Sequence, residues 1–283
     1  MWLLFAFIMF VASNALYLLI RLAQKQSIHI SFYSIFMFSV PCIIYFAVAS
    51  LTRTSLLLAW PHFLLVMAAA FLWSYLGNLF SQKAILLAPN PGYSLILQKS
   101  YVVLTTIAAV FFFDAEFSWQ KFTAILAILL FALMISSAPK NQKLSDSRWV
   151  VFSILTNLCF AFGSLISKHF LNLGLEPFVY LFYTNLFVSI LSFFDFRRQK
   201  MQVTLTNWQW LLMIAIGISG AIFNFSMQSA YKTAPNIGYV SGINVASIMS
   251  VTFLSALIFK DSLSRSKIIG IAGVFVGLLF LIF

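Results

Sequence analysis

The strongest constraint on this chain is that apolar runs long enough to cross a lipid bilayer follow one another almost without relief. They occupy residues 2–22, 30–51, 61–86, 91–113, 119–137, 149–168, 177–195, 208–231, 237–259 and 267–283. At 1.5 Å per residue, about 20 helical residues cover a hydrocarbon layer of about 30 Å. Within that layer every backbone N–H and C=O must be satisfied internally, which leaves α-helices or closed β-barrels. Barrel strands alternate polar with apolar, whereas these runs are apolar all round. With 62% hydrophobic residues and only 8% charged, against about 25% charged in soluble domains, the sequence predicts an all-α polytopic membrane protein of ten transmembrane helices.

A single long polar connector, residues 138–148, separates five runs (1–137) from five (149–283). The first run has no basic segment before it and no small-residue cleavage pattern after it, so it is expected to stay as a helix rather than act as a removable signal. Cys42 and Cys159 fall inside runs with no CxxC spacing and read as small core residues. His29, His62 and His169 are far apart in sequence, which offers no metal-ligand spacing. No metal and no cofactor is expected.

The formal charge of +11 is spread over short loops rather than gathered in a basic domain, so it reads as membrane topology and not as nucleic-acid binding. Loops after odd-numbered runs carry Arg21, Lys25, Lys83, Lys140, Lys143, Arg148, Arg197, Arg198, Lys200, Lys260, Arg265 and Lys267. Loops after even-numbered runs carry Arg53, Lys121, Lys168 and Lys232. The positive-inside rule places the first set in the cytoplasm and both termini outside.

The two halves repeat one another. Ala88-Pro89-Asn90-Pro91-Gly92-Tyr93 matches Ala234-Pro235-Asn236-Ile237-Gly238-Tyr239 at five of six positions. With the same offset of 146, Asn78 falls on Asn224, Gln82 on Gln228, Thr106 on Thr252, Ser118 on Ser264 and Lys121 on Lys267, within 17 identities over the 69 positions from Leu65 to Leu133. Compositional bias alone would not select Asn, Gln, Pro and Gly, so internal duplication is the reading. Because each half holds an odd number of spans, the second must enter the membrane from the opposite side. That makes two inverted five-helix repeats, an arrangement characteristic of secondary transporters. The prolines end the preceding helix and the glycines permit tight backbone beside the next, so Pro89, Gly92, Pro235 and Gly238 are candidate gating hairpins.

Ten spans in two repeats, together with Lys260-Asp261-Ser262-Leu263-Ser264 followed by Gly270, resemble the EamA-like drug/metabolite transporter superfamily. There the fourth helix of each repeat ends on "GE-x-L-S", with Gly six residues past the Ser. Asp261, Ser264 and Gly270 hold that spacing with Asp for Glu. In the first half Ala115, Ser118 and Ala124 stand at the equivalent positions, and the usual Trp-Gly of the first helix is replaced near Ser13-Asn14. The resemblance implies a carrier of small organic solutes with a cavity between the repeats. It also implies cytoplasmic termini, opposite to the charge rule.

Polar side chains in hydrocarbon are costly and should face a cavity or one another. Residues three, four or seven apart share a helix face, and such spacing singles out Asn14 and Tyr17; Asn78 and Gln82; Gln98 and Tyr101; and Asn157 with Ser164, together with Asn224, Gln228 and Asn244 in the second half; Lys99 is added for its charge and Tyr183 as an aromatic. These, Ser164 excepted, are the candidate substrate-binding residues. Lys99 stands out, because a cation within a span costs about 2.5–3.5 kcal/mol and an anionic group of the solute would offset it. All six acids, Asp114, Glu116, Asp146, Glu176, Asp195 and Asp261, lie near span ends or in loops. The sequence therefore predicts a non-enzymatic transporter of an anionic or zwitterionic metabolite, in a bacterial inner membrane, with the solute and the bilayer as partners and no nucleic acid. A cation exporter of the same superfamily and a lipid-modifying membrane enzyme are the alternatives.

Overall fold

Ten apolar runs become twelve helices and one π-turn, because two of the runs are interrupted. The computed structural model of the protein describes residues 1–88, 91–136, 147–199, 205–260 and 263–283, and among these no strand occurs. The first half holds α1 (Trp2–Lys25), α2 (Ile30–Leu51), α3 (Trp60–Ala69), a π-turn (Ala70–Tyr75), α4 (Leu76–Leu87), α5 (Pro91–Lys99), α6 (Tyr101–Phe113) and α7 (Trp119–Ser136). The second holds α8 (Arg148–Asn172), α9 (Pro177–Arg198), α10 (Asn207–Thr233), α11 (Ile237–Phe259) and α12 (Arg265–Ile282). Among the described residues nine helical stretches, counting α3 to α4 as one and α5 with α6 as one, are long and apolar enough to span a membrane; Trp119–Ile135 is a shorter apolar helix. The protein is an integral multi-pass membrane protein.

Both interruptions have local causes. At Ser100 the ladder breaks between α5 and α6, and the freed groups are taken up locally. Asn157 of α8 donates to Leu97 O at 3.0 Å and to Ser100 Oγ at 2.8 Å, while Ser100 Oγ donates to Leu97 O at 2.7 Å. The π-turn inserts one residue into the third span, as π-bulges near functional sites commonly do, and ends on Tyr75.

Matching sequence gives matching backbone. Asp114 and Lys260, 146 residues apart, both close their helices in the left-handed conformation, with φ of 49° and 58°. Ser118 Oγ accepts from Lys121 N at 3.4 Å, and Ser264 Oγ accepts from Lys267 N at 3.4 Å. Ser264 thereby caps α12, satisfying one of the donors a helix start leaves unpaired.

Packing is pairwise. α1 lies on α10 and α8 on α4, while α2 pairs with α9 and α7 with α12. The α7–α12 seam is close because Gly270, Gly273 and Gly277 face Phe131, Ile135 and Ile128, leaving no space for a Cβ. Small residues allow this approach where lipid supplies no hydrophobic drive between helices. Large side chains such as Phe111, Phe112, Leu130, Ile268 and Phe280 point outward, as lipid-facing positions require.

Candidate functional site: a cavity between the halves

A cavity of about 970 Å³ lies among α1, α2, α4, α5, α9 and α11. Its lining includes Gln24 at the end of α1, Ser31 at the start of α2, Ile85 near the end of α4 and Gln199 just past α9. The mouth is therefore on the face carrying the α1–α2 and α9–α10 connections, the Lys- and Arg-rich face of the sequence reading.

The opposite face is closed by the α10–α11 hairpin, which docks on the α6–α7 corner. Asn236 Nδ2 donates to Thr106 O at 3.1 Å and to Glu116 O at 3.0 Å, and its Oδ1 accepts from Gly238 N at 2.8 Å. Tyr239 Oη donates to Glu116 O and accepts from Ser118 N, and Glu116 N donates to Pro235 O. Gly238 packs so tightly on Thr106 that a Cβ would collide with that residue's side chain and Cα. Lys232 and Glu176 form an ion pair at 3.1 Å on the rim, and Lys168 Nζ donates to Tyr231 O at 2.7 Å.

The surface of the cavity is mostly apolar, and charged side chains stand on it at two stations. At the first, Lys99 Nζ donates to Tyr17 Oη at 3.2 Å and stands 5.5 Å from the Tyr17 ring centroid, an arrangement in which both the hydroxyl dipole and the ring face stabilise the ammonium. Arg21, one turn beyond Tyr17, also lines the space. At the second station Tyr75 Oη donates to Asp195 Oδ2. Beside it Gln199 and Ser31 exchange hydrogen bonds of 3.0 and 3.2 Å, tying α2 to α9.

Of the twelve predicted binding residues, the cavity brings together Tyr17, Asn78, Gln82 and Lys99. The others hold helices together or lie elsewhere. Asn14 accepts from Ser250 Oγ at 2.6 Å, tying α1 to α11. Gln98 is 2% exposed and bonded to both Ser81 and Ser94 at 2.7 Å. Asn157 serves the break at Ser100, Tyr101 is buried against Phe160, and Tyr183 donates to Leu56 O at 2.5 Å. Gln228 is buried and accepts from Ser167 Oγ. Asn224 is outside the lining, and Asn244 is buried, its Oδ1 without a partner among the described residues. Pro235 and Gly238 belong to the closed hairpin; Gly92 falls in the first turn of α5, and Pro89 and Asp261 lie outside the described residues.

Asp195 is the residue that the sequence reading passed over. It lies three residues from the end of α9, yet it reaches Tyr75, twelve residues short of the end of the Trp60–Leu87 span. The spacing Val188, Ser192, Asp195, Gln199, all lining the cavity, is a one-face stripe that would have revealed it.

Comparison with known proteins adds the family. Residues 147–283 match the model of the EamA-like transporter family. The second half of the chain is thus similar to that family. The EamA-like half includes the Ser264 and Gly270 positions of the motif, and its match is consistent with the drug/metabolite transporter superfamily, a superfamily of membrane transporters. A solved structure, titled only as the crystal structure of a protein, covers 98% of this chain and 98% of its own, with a TM-score of 0.83 at 16% identity. That likeness shows the fold of the whole chain. No curated protein matches significantly in sequence.

Proposed function

We propose that the protein is a secondary transporter that moves a small anionic or zwitterionic organic solute by alternating access between two inverted repeats, without a cofactor and without catalysis. The observation that carries this is a membrane-embedded cavity open at one face, sealed at the other by a repeated hairpin, and holding an ammonium group on its wall. Reciprocal pairing supports the symmetry: the first span packs on the eighth as the sixth packs on the third, which an exchange of equivalent halves would preserve.

Position supports the role of Lys99. Lys99 and Val245 occupy matching places in the two halves, and both line the cavity. A wall to which both halves contribute the same position lies near the axis relating them, where a site can be reached from either side. The charge rule places the mouth toward the cytoplasm of a bacterial inner membrane. Asp195 favours a second reading, a cation exporter.

The test is purified protein in liposomes, presented with amino acids, organic acids, sugar phosphates, nucleotides and organic cations. Saturable uptake of an acid or zwitterion, lost on Lys99→Ala, is expected. Flux of cations alone would establish the second reading, and turnover of a lipid with no flux of any solute would overturn both.

A further inference from the structure

The cavity carries two stations of opposite charge, built on different helices. Tyr17 and Lys99 come from α1 and α5; α1 packs on α10 and α11, and α5 on α4, α7 and α8. Asp195 and Tyr75 come from α9 and the π-turn, which pack on one another; α9 also lies on α2 and α10, and the π-turn on α3, α4 and α8. Among the described residues the ion pairs are Lys121–Glu116 and Lys232–Glu176, and Asp195 belongs to neither. Its hydrogen bond is with the Tyr75 hydroxyl, with Arg198 of the same helix close enough to act on that hydroxyl, and most of the carboxylate's acceptor capacity remains open. It is the one carboxylate among the described lining residues. The rest of the lining mixes apolar side chains, Met37, Phe38, Leu95 and Ile248 among them, with the amides of Asn78 and Gln82.

Resting on the transport reading above, we infer that Asp195, positioned by Tyr75, receives a cationic group of the solute while Lys99 receives its acid. The substrate is therefore a single apolar body bearing both an ammonium and an acidic group. A simple anion leaves the Asp195 carboxylate without a partner from the solute, and a simple cation leaves Lys99 so. The site thus selects by the penalty on the wrong solute as much as by attraction to the right one. The repeat does not supply this pair. Asp195 corresponds to Ala49, Tyr75 to Ala221, Tyr17 to Gly163 and Lys99 to Val245, so the charges are additions of individual positions to a duplicated frame.

The experiment compares three probes of one apolar body in liposomes: phenylalanine, 3-phenylpropionate and phenethylamine. Phosphoethanolamine against ethanolamine forms a second arm, distinguishing a phosphate from a carboxylate as the acid. The unmodified protein should favour the zwitterion over both single-charge analogues by about tenfold or more, the worth of one charge-assisted contact. Asp195→Asn should raise the zwitterion KM by a similar factor and leave uptake of 3-phenylpropionate unchanged or improved, whereas Lys99→Met should reduce both. Tyr75→Phe keeps the carboxylate and should give a smaller loss. Solute-induced thermal stabilisation of each purified variant reports binding separately from flux. Transport of the anion as readily as the zwitterion, with both indifferent to Asp195→Asn, would overturn the inference while leaving the transport reading intact. If Asp195→Asn abolishes proton-driven accumulation but spares exchange and selectivity, the carboxylate handles a proton and the inference also fails. No flux of any probe by the unmodified protein, in a screen that also finds no other solute, would remove the transport reading itself.

Discussion

Gln82 and Gln228 are one residue written twice, in surroundings as different as this molecule provides. Gln82, on α4, lines the open cavity, whereas Gln228, on α10, is buried and bonded to Ser167. Asn78 and Asn224 divide the same way, the first on the cavity and the second off it. Identical local sequence therefore stands on an open face in one half and on a closed face in the other. What differs is the state of the packing around it, and an exchange of those states between the halves is the motion a carrier needs.

The largest effect that would break this comparison is at the closed hairpin. Gly238→Ala places a methyl into Thr106, and overpacking of this kind costs about 1–3 kcal/mol. That is enough to shift a two-state balance by roughly 5- to 150-fold away from the state described. We expect transport to collapse, and a cysteine placed at Ser241, buried behind the closed hairpin, to become reactive toward a polar reagent. Unchanged flux and labelling would show that the hairpin is a plain connector.

Next is the cavity cation. Lys99→Ala should lower transport of acidic or zwitterionic solutes by about tenfold or more, through loss of a charge-assisted contact, with membrane expression intact. Unaltered kinetics would mean that the ammonium only completes its bond to Tyr17.

A paired substitution sharpens the contrast directly. Gln228→Leu leaves Ser167 without its buried acceptor and should lower stability by about 1–3 kcal/mol, read as a fall in Tm of the purified protein. Gln82→Leu should leave Tm nearly unchanged and act on KM instead. Equal effects on both quantities would erase the distinction between open and closed halves.

The orientation prediction concerns which face is which. A cysteine placed between residues 140 and 148 should be shielded from an impermeant thiol reagent in whole cells, as the charge rule requires; labelling there would turn the cavity outward. The smallest effect is at the rim. Glu176→Gln removes the partner of Lys232, an exposed pair worth at most about 1 kcal/mol and weaker in high salt. Its loss should slightly raise reactivity behind the closed hairpin in low salt and do nothing in high salt.

Much of the fold was readable in the residues because hydrocarbon leaves so few solutions. Ten apolar runs required helices, and the turn read at Pro235 and Gly238 falls where α10 ends and α11 begins. The site was less legible. Polar stripes predicted that Gln98 and Asn157 would meet something polar, which they do, but with Ser81, Ser94 and the broken ladder at Ser100 rather than with the cavity. Periodicity assigns a side chain to a helix face and is silent on whether that face meets another helix or a space. Asp195 was missed for a related reason. Its distance from the end of its own helix says nothing about its depth when α9 stops short beside a third span of 28 residues.

By itself the sequence determined that this chain must be a bundle of membrane helices, and that its two halves carry the same turns, caps and polar letters. Those properties are local or compositional, fixed by backbone hydrogen bonding in lipid and by nearest neighbours along the chain. Only the tertiary structure decided which copy of each repeated residue faces the cavity and which is sealed, and that Lys99 with Tyr17 and Asp195 with Tyr75 stand on walls of one space. Those facts depend on how helices distant in sequence pack, and a single helix pattern is compatible with either side of the packing.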